Sequence, residues 1–251
     1  VLIMTPGLAY FYGGMIDNKN IISTMLQSFI AMGVISVLWV VIGFSLAFGD
    51  SIGGLFGNPG TYFMFQGVLD GKPWSLAPTV PLAMFAFFQA KFAIITPALI
   101  SGTFSERIRF ESYILFIILF SIFIYSPLAH MTWHPNGFLF KLGVLDFAGG
   151  TVVHMSAGLA ALASAIYLKG DKKSDPHAPA NIPFVLMGTG LLWFGWFGFN
   201  AGSAVSAGSL AVSAFAATNT ASAAAGLTWV LFDAIKGKKP SALGFCIGAV
   251  V

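Results

Sequence analysis

The sequence predicts an all-α fold of a polytopic membrane protein, and three observations support this prediction. Hydrophobic residues make up 57% of the 251 residues and charged residues only 8%, whereas a typical soluble domain is about 25% charged. The mean hydropathy is +0.86. Several uncharged runs, among them 21–49, 112–140 and 147–168, also reach the roughly 20 residues that a membrane-spanning helix needs.

The uncharged runs and their breaks predict eight helices in order along the chain. The fourth helix ends where the polar and helix-breaking stretch 134–137 interrupts an apolar run. The long run 178–232 is sufficient for two spans and divides at 200–209, where small and polar residues replace bulky ones. The approximate bounds are 1–16, 21–48, 79–104, 112–132, 147–168, 182–205, 210–235 and 241 onward.

The first and last of these helices are expected to be incomplete. Val1 already lies in an apolar helix without an initiating Met, and Val251 ends the chain shortly after the last helix begins. We therefore expect residues 1–251 to form a single transmembrane domain, truncated at both ends, of a longer membrane protein. The start of the chain has neither the basic region nor the small-residue cleavage site of a signal peptide.

The basic residues predict an orientation in the membrane. By the positive-inside rule, loops rich in Lys and Arg face the cytoplasm. Nine of the 12 basic residues follow odd-numbered predicted helices, namely Lys19, Arg107, Arg109, Lys169, Lys172, Lys173, Lys236, Lys238 and Lys239. The first helix is therefore expected to start outside. The net charge of +3 then reflects topology, and no nucleic-acid partner is expected.

The most informative residue is His154, which lies in the predicted fifth helix. An ionisable side chain at that depth is costly and indicates a function by default. The structural alternative is a histidine that is merely hydrogen-bonded between packed helices. A neutral imidazole offers one donor and one acceptor, so it is suited to hold a small polar molecule or relay a proton in an apolar path.

Asp146 precedes the same helix and is the second candidate. A carboxylate there is typical of an N-cap, because it accepts backbone N–H groups and complements the helix dipole. Its charge could instead favour a cation at the outer mouth. Asp146, Gly150, His154 and Gly158 share an i, i+4, i+8 spacing, which predicts one helical face with His154 about 12 Å into the helix. The glycines would let another helix or a narrow pore approach the imidazole.

Aromatic side chains form the third group of candidates. Phe88 and Phe92 lie at i, i+4 on the predicted third helix, and Phe199 precedes a small, polar stretch that contains Ser203. Such stripes are more often packing or lipid-facing than functional. Trp133 is expected near the outer mouth, where its ring face could bind a small cation with about 0.5 to 2 kcal/mol.

Motifs of soluble enzymes are absent from the sequence. It has no HExxH, no GxGxxG after a strand, no P-loop lysine and no CxxC pair, so the protein is not expected to be an enzyme. The single cysteine, Cys246, excludes an intrachain disulfide. His154 has no cysteine, carboxylate or second histidine nearby on its own helix, so no metal site and no organic cofactor are expected.

Five motifs together resemble one family of membrane proteins. They are MTPGLAYFYGG at 4–14, FAIITPALISGTFSERIRF at 92–110, DFAGGTVVHMSAG at 146–158, NIPFVLMGTGLLWFGWFGFNAGSA at 181–204 and GKKPSALG at 237–244. This pattern resembles the ammonium transporter family, known as Amt/Mep and related to the Rh proteins, over essentially the whole chain. The resemblance implies the eleven-helix ammonium-transporter fold with an inverted repeat, of which about helices 1 to 8 are present here.

The resemblance also implies an outer ammonium-binding site. Trp133, Phe92 and Ser203 are similar to the family residues that replace water around the ion by cation–π contacts and a hydroxyl. Asp146 is similar to the aspartate that stabilises the outer vestibule and the start of the fifth helix. The segment between Trp133 and Asp146 looks slightly longer than in the family, so the vestibule loop is expected to differ in shape.

The pore residues are likewise implied by the resemblance. Phe88 is similar to a pore-lining neighbour, and Phe92 and Phe199 resemble the stacked phenyl gate beneath the outer site. His154 resembles the first of two pore histidines, and the second is expected beyond Val251. In the family, ammonium loses its proton before the apolar constriction and crosses as ammonia, which excludes potassium because potassium has no proton to lose.

Alternatives remain open at this point. The leading interpretation is an ammonium transporter or channel in the cell membrane. The others are an ammonium sensor that uses the same outer site and an Rh-like gas channel, which the cation-recruiting residues disfavour. The family implies a homotrimer in the lipid bilayer and a PII signalling protein at the cytoplasmic face. Lys91 departs from the family; it could snorkel, weaken cation binding or, as we favour, form a buried pairing.

Overall fold

The computed structural model describes residues 1–169 and 178–250. Lys172 and Lys173, used above for the orientation, lie outside the described residues. The all-α prediction is confirmed, since the chain is mainly helical. Its α-helices are α1 (Met4–Met15), α2 (Ile21–Leu38), α3 (Phe44–Phe48), α4 (Leu82–Phe104), α5 (Phe110–Phe120), α6 (Ser126–Trp133), α7 (Phe138–Lys141), α8 (Ser156–Leu168), α9 (Ile182–Asn200), α10 (Ser209–Ile235) and α11 (Ala242–Val250).

Some of these helices join into longer stretches that are apolar enough to cross a membrane. Within the described residues there are six such stretches, which supports a multi-pass membrane protein. They are Asn18–Phe48, Leu82–Phe104, Phe110–Lys141, Gly150–Leu168, Ile182–Ala204 and Ser209–Ile235. The predicted division of the long run 178–232 is confirmed, because α9 ends at Asn200 and α10 begins at Ser209.

Three stretches contain a π-helical turn that the sequence did not predict. These turns are Trp39–Gly43, Ser121–Tyr125 and Gly150–Met155. A π-helical turn inserts one extra residue per turn and is found frequently at functional sites. The predicted helix at 147–168 is corrected accordingly: it begins only at Gly150, and its first six residues are π-helical. The prediction that Asp146, Gly150, His154 and Gly158 share one face of a regular α-helix is therefore wrong.

The described residues group into two compact units. The first contains Val1–Phe29 and the described part of Gly170–Val251, and the second is Ile30–Lys169. The division into two compact units does not test the prediction of a single transmembrane domain, which stays a prediction. The first unit includes α1, α9, α10 and α11, and the second includes α3 to α8.

In the first unit, α1 packs closely against α9. The absence of side chains at Gly7 and Gly188 allows this approach: a Cβ added at Gly7 would lie 2.9 Å from the Cβ of Leu191, and one added at Gly188 would meet the backbone N of Phe11. The chain before α9 also pairs with the end of α1, because the Asn181 N–H donates to the Gly14 carbonyl at 3.0 Å. Small residues at helix contacts are typical of membrane proteins.

This packing predicts that substitutions at two nearby glycines of α9 differ in their effect on stability. Gly188→Ala is expected to destabilise the fold by about 1 to 3 kcal/mol, because its methyl group would collide with α1 backbone. Gly190→Ala on the same helix is the control, since no atom lies within 4 Å of a Cβ at that position. The stability of both variants is measured by their thermal unfolding midpoints in detergent. Equal midpoints would contradict the predicted contact.

In the second unit, a small hairpin covers the end of α6. Strands β1 (Ser51–Ile52) and β2 (Phe56–Gly57) pair antiparallel, with Ser51 opposite Gly57. The Gly54 carbonyl accepts a hydrogen bond from the Phe138 N–H at 2.8 Å. This contact ties the hairpin to α7 and thereby places the loop that follows α6, where the candidate site begins.

Candidate functional site

The site is built around the carboxylate of Asp146, which lies in the loop between α7 and the π-helical turn. Its Oδ1 accepts the Gly149 N–H, and its Oδ2 accepts the N–H groups of Thr151 and Val152, each at 2.9 Å. These donors would otherwise lack partners, because the first N–H groups of a helix have no intrahelical acceptor. The capping role expected for Asp146 is therefore observed, although the residue lies four positions before the helix.

Gly149 makes this cap possible. Its φ of +90° lies in the left-handed region, which residues with a Cβ rarely adopt. A Cβ added there would also lie 2.7 Å from a methyl carbon of Val153 and 3.6 Å from the ring of Phe92. The tight turn thus brings the start of the π-helical turn directly against the aromatic part of the site.

Trp133 ends α6 and is tied to Asp146 by its indole. The Nε1–H donates to the backbone carbonyl of Asp146 at 3.1 Å, so the ring is held in one orientation. The residues between them, which looked longer than in the family, form α7 and the loops on either side of it. The extra length does not prevent contact between Trp133 and Asp146.

Two phenylalanines of α4 continue the aromatic group. The rings of Phe92 and Trp133 are perpendicular, with an interplanar angle of 88° and centroids 6.0 Å apart. Phe88 meets Phe92 edge-on with centroids 4.9 Å apart. Phe92 is 1% exposed, whereas Phe88 and Trp133 are partly exposed. The structure therefore brings together Phe88, Phe92, Trp133 and Asp146.

His154 lies near the end of the π-helical turn. It is the fifth of the six residues Gly150–Met155, so it is much closer to the start of its helix than the 12 Å predicted. Its side chain is exposed in the structure. No atom lies within 4 Å of a Cβ built at either Gly150 or Gly158, so the surface near the imidazole is open at both glycines.

Two further candidates, Phe199 and Ser203, lie in the first unit. Phe199, in the last turn of α9, is 1% exposed. Ser203 lies in the 3₁₀ turn Ala201–Ala204 that follows, and its hydroxyl donates to the Phe199 carbonyl at 2.7 Å. Asn200 fixes this helix end to α10 through a 2.9 Å hydrogen bond from its Nδ2 to the Thr218 hydroxyl. Ser203 keeps its oxygen lone pairs as acceptors.

Sequence reasoning missed a buried histidine, His130 on α6, which is 0% exposed. Its Nδ1 lies 3.1 Å from the Ala47 carbonyl and its Nε2 lies 2.8 Å from the Ser51 hydroxyl. Because a carbonyl can only accept, Nδ1 carries the proton. The ring also stacks on His134 with centroids 4.4 Å apart. A histidine inside the uncharged run 112–140 was a signal that could have identified it.

The favoured interpretation of Lys91 is not observed among the described residues. Its ammonium lies 6.0 Å from the centroid of the Phe87 ring, one turn earlier on α4. The only ion pair within the described ranges joins Lys19 and Asp17, so no carboxylate there neutralises Lys91. The side chain therefore extends towards the start of α4 over an aromatic face, as a snorkelling lysine does.

Comparisons of the sequence and of the structure with known proteins all find ammonium transporters. A profile of the Ammonium Transporter Family matches residues 1–251. The putative ammonium transporter of Methanothermobacter thermautotrophicus is 46% identical over 250 residues, which cover 100% of this chain and 60% of that protein. The crystal structure of Saccharomyces cerevisiae Mep2 matches with a TM-score of 0.90 at 35% identity, covering 98% of this chain and 56% of that chain.

A further solved structure, described as a sensor Amt protein, matches with a TM-score of 0.85. It is 31% identical, and the match covers 96% of this chain and 62% of that chain. This chain thus spans about three fifths of the length of the proteins it matches.

Proposed function

The chain belongs to the ammonium transporter family, and from that premise we propose that it is a transmembrane ammonium transporter. In this proposal, ammonium binds at an outer aromatic site, loses its proton and crosses as ammonia through an apolar pore that contains His154. The same premise supports a homotrimer in the lipid bilayer of the cell membrane, with the first helix starting outside and a cytoplasmic face that a PII signalling protein can bind.

The observation that carries the proposal is the perpendicular pair of Trp133 and Phe92. The planes of the two rings are 88° apart. A small cation held against the face of an aromatic ring gains about 0.5 to 2 kcal/mol of binding free energy. The hydrogen bond from Trp133 to Asp146 prevents the indole from turning flat against its neighbour. The indole is therefore held in one orientation before a cation binds.

Ser203 supplies the polar contact in this proposal. Its hydroxyl hydrogen is directed at the Phe199 carbonyl, so its oxygen accepts a hydrogen bond from ammonium rather than donating one. Phe199 is proposed as part of the phenyl gate with Phe92. Both rings are almost completely buried, as expected of side chains that exclude water from an apolar path.

Selectivity follows from the chemistry of the path rather than from its width. A charged ion in a water-free, apolar pore loses its hydration and is strongly disfavoured. Ammonium avoids this cost by releasing a proton, which potassium cannot do. His154 is suited to hold the neutral ammonia, because an imidazole offers both a donor and an acceptor.

Currents in proteoliposomes on a solid-supported membrane test this function. The purified full-length protein is expected to give a current under an ammonium gradient and none under an equal potassium gradient. Binding of ammonium without any flux, measured by current and by internal pH, would rule out the transporter.

The outer site is tested by Trp133→Ala. Loss of the ring face is expected to raise the KM for ammonium about 2- to 30-fold, which corresponds to the 0.5 to 2 kcal/mol of a cation–π contact. Trp133→Phe is the matched variant; it keeps a ring face but loses the indole N–H, so its KM is expected to lie between the two. An unchanged KM in Trp133→Ala would refute the assigned site.

An ammonium sensor is the second candidate. The match to the sensor Amt protein favours it, since a sensor can use the same recruiting residues without conducting. The current measurement separates the two functions, because a sensor retains binding that depends on Trp133 and shows no flux.

A further inference from the structure

The last turn of α6 contains a buried histidine that the proposed transport path does not use. His130 is 0% exposed, and its ring makes two polar contacts with distant parts of the second unit. In the neutral ring, Nδ1 donates to the Ala47 carbonyl of α3 at 3.1 Å, which leaves Nε2 to accept from the Ser51 hydroxyl of β1 at 2.8 Å. One side chain therefore joins α6 both to α3 and to the hairpin.

The Ser51 hydroxyl has a single proton and two acceptors within reach. Nε2 of His130 lies 2.8 Å from its oxygen, whereas the Asn136 carbonyl lies 3.4 Å away. Hydrogen bonds from a hydroxyl are typically about 2.5 to 3.0 Å long. The Ser51 proton is therefore directed at His130, and both ring nitrogens of this buried side chain are satisfied.

A second imidazole covers one face of the His130 ring. His134 stacks on it with centroids 4.4 Å apart and an interplanar angle of 17°. His134 is fixed in turn, because its Nδ1 accepts the Asn136 N–H at 3.0 Å and the Trp74 indole meets its ring at 61°. The His130 ring consequently cannot turn without breaking a hydrogen bond or the stacking contact.

Trp133 lies between the two histidines, in the turn that they hold. The His134 N–H donates to the His130 carbonyl at 3.1 Å and closes this turn. The chain that follows α6 lies directly on the same turn, since a Cβ added at Gly137 would collide with the His130 carbonyl. The direction in which the Trp133 side chain leaves α6 therefore depends on a turn that is anchored through His130.

We propose that His130 and Ser51 are positioning residues of the outer ammonium-binding site. They fix the last turn of α6 against α3 and β1 and thereby orient the Trp133 indole, without touching the ion themselves. Fully satisfied buried polar contacts rigidify a structure and specify one arrangement, whereas an apolar side chain would only fill the same space. The inference rests on the proposed function, because it concerns the site that Trp133 is proposed to form.

Ammonium-driven currents of the full-length protein in proteoliposomes test the proposal. Ser51→Ala leaves Nε2 of His130 without its donor. It is expected to raise the KM for ammonium about 2- to 30-fold at an unchanged maximal current, because its effect cannot exceed the loss of the Trp133 ring face. Ser51→Thr keeps a hydroxyl at this position and is expected to keep the KM of the unmodified protein.

His130→Asn tests the same link from the other side. The shorter amide retains a donor for the Ala47 carbonyl and cannot reach Ser51, so its KM is expected to match that of Ser51→Ala. In the Trp133→Ala background, Ser51→Ala is expected to cause no further rise in KM, since substitutions that act through one contact are not additive. A purely structural loss would instead lower the maximal current.

The matched control is Thr132→Val on the same turn of α6. Thr132 is 2% exposed, and its hydroxyl has no hydrogen-bond partner within the described ranges. The substitution therefore removes a buried hydroxyl without breaking a link between elements, and its KM is expected to stay unchanged.

The possible failures of the inference and of the proposed function differ. A raised KM in Trp133→Ala beside an unchanged KM in Ser51→Ala and His130→Asn would overturn the inference alone. An equal rise in Thr132→Val, or an additive rise in the double variant, would also overturn it. An unchanged KM in Trp133→Ala would remove the outer site, and the inference with it.

Two features keep the test decisive. Ser51 is a partly exposed strand residue, so Ser51→Ala gives a result even where His130→Asn does not fold. In a protein that binds ammonium without conducting it, the dissociation constant for ammonium replaces KM in every comparison. Unfolding midpoints of all variants confirm that the fold is retained.

Discussion

Asp146→Ala is expected to abolish the ammonium-driven current and to lower the thermal unfolding midpoint. The substitution leaves the N–H groups of Gly149, Thr151 and Val152 without their acceptor. Hydrogen bonds to a charged group are each worth about 1.5 to 3 kcal/mol, so the loss is expected to exceed about 3 kcal/mol. The turn at Gly149 then relaxes, and the contact with the Trp133 indole is lost with it.

Asp146→Asn separates capping from charge. The amide keeps one oxygen that can accept two N–H groups, so this variant is expected to retain more than half of the stability that the Ala variant loses. If its current is nearly normal, Asp146 acts as a cap. A stable Asn variant without current would assign the carboxylate charge to cation recruitment, which the sequence had left open. An unchanged midpoint in Asp146→Ala would refute the capping role.

We propose that the His154 imidazole also relays the proton that ammonium releases. His154→Ala is therefore expected to reduce the ammonium current by about 100-fold or more, because a positioned proton-transfer group contributes at least that much in enzymes. The side chain is exposed, so its removal leaves no buried cavity and the unfolding midpoint is expected to stay unchanged. Currents of the variant and of the unmodified protein in matched proteoliposomes provide the measurement.

Met155→Ala is the control for this prediction. Met155 is the next residue of the same π-helical turn and is 56% exposed, so its truncation tests the helix surface without the imidazole. Its current is expected to remain normal. A full current in His154→Ala would show that the passage of ammonia does not depend on this side chain.

Several parts of the candidate site could be predicted from residues alone. A carboxylate before an apolar run predicts a cap, and in the structure the Asp146 carboxylate accepts the N–H of Gly149 and two helix N–H groups, those of Thr151 and Val152. The motif resemblance also grouped Trp133 with Phe92, whose rings meet at 6.0 Å. These contacts could be anticipated because hydrogen-bonding capacity and aromatic chemistry belong to the residue types themselves, whereas the roles assigned to the residues stay predictions.

The position of His154 on its helix could not be predicted in the same way. Counting 3.6 residues per turn from Asp146 assumed a regular helix, whereas the chain enters at Gly150 through a π-helical turn. Hydrophobic periodicity does not reveal one inserted residue in a run that is apolar on every side. The left-handed backbone of Gly149 and the capping carboxylate decide the entry point, and both are local geometry.

The contacts of His130 could not be predicted from the sequence either. The sequence contains this histidine in an apolar run, but its role depends on the Ala47 carbonyl and the Ser51 hydroxyl, which are about 80 residues away along the chain. Lys91 is similar, since its position allowed snorkelling, weakened cation binding or a buried pairing, and its contact with the Phe87 ring is visible only in the structure.

By itself, the sequence determined the membrane-spanning helices, their approximate bounds, the family and the residue types of the site. These properties follow from the transfer free energy of long apolar runs and from motifs that require no neighbours. Only the tertiary structure decided where the helix that carries His154 begins, how Trp133 and Phe92 are oriented and which polar groups His130 satisfies. Each of these depends on backbone dihedrals and on contacts between distant segments, because hydrogen bonds and ring contacts form only where folding brings their partners together.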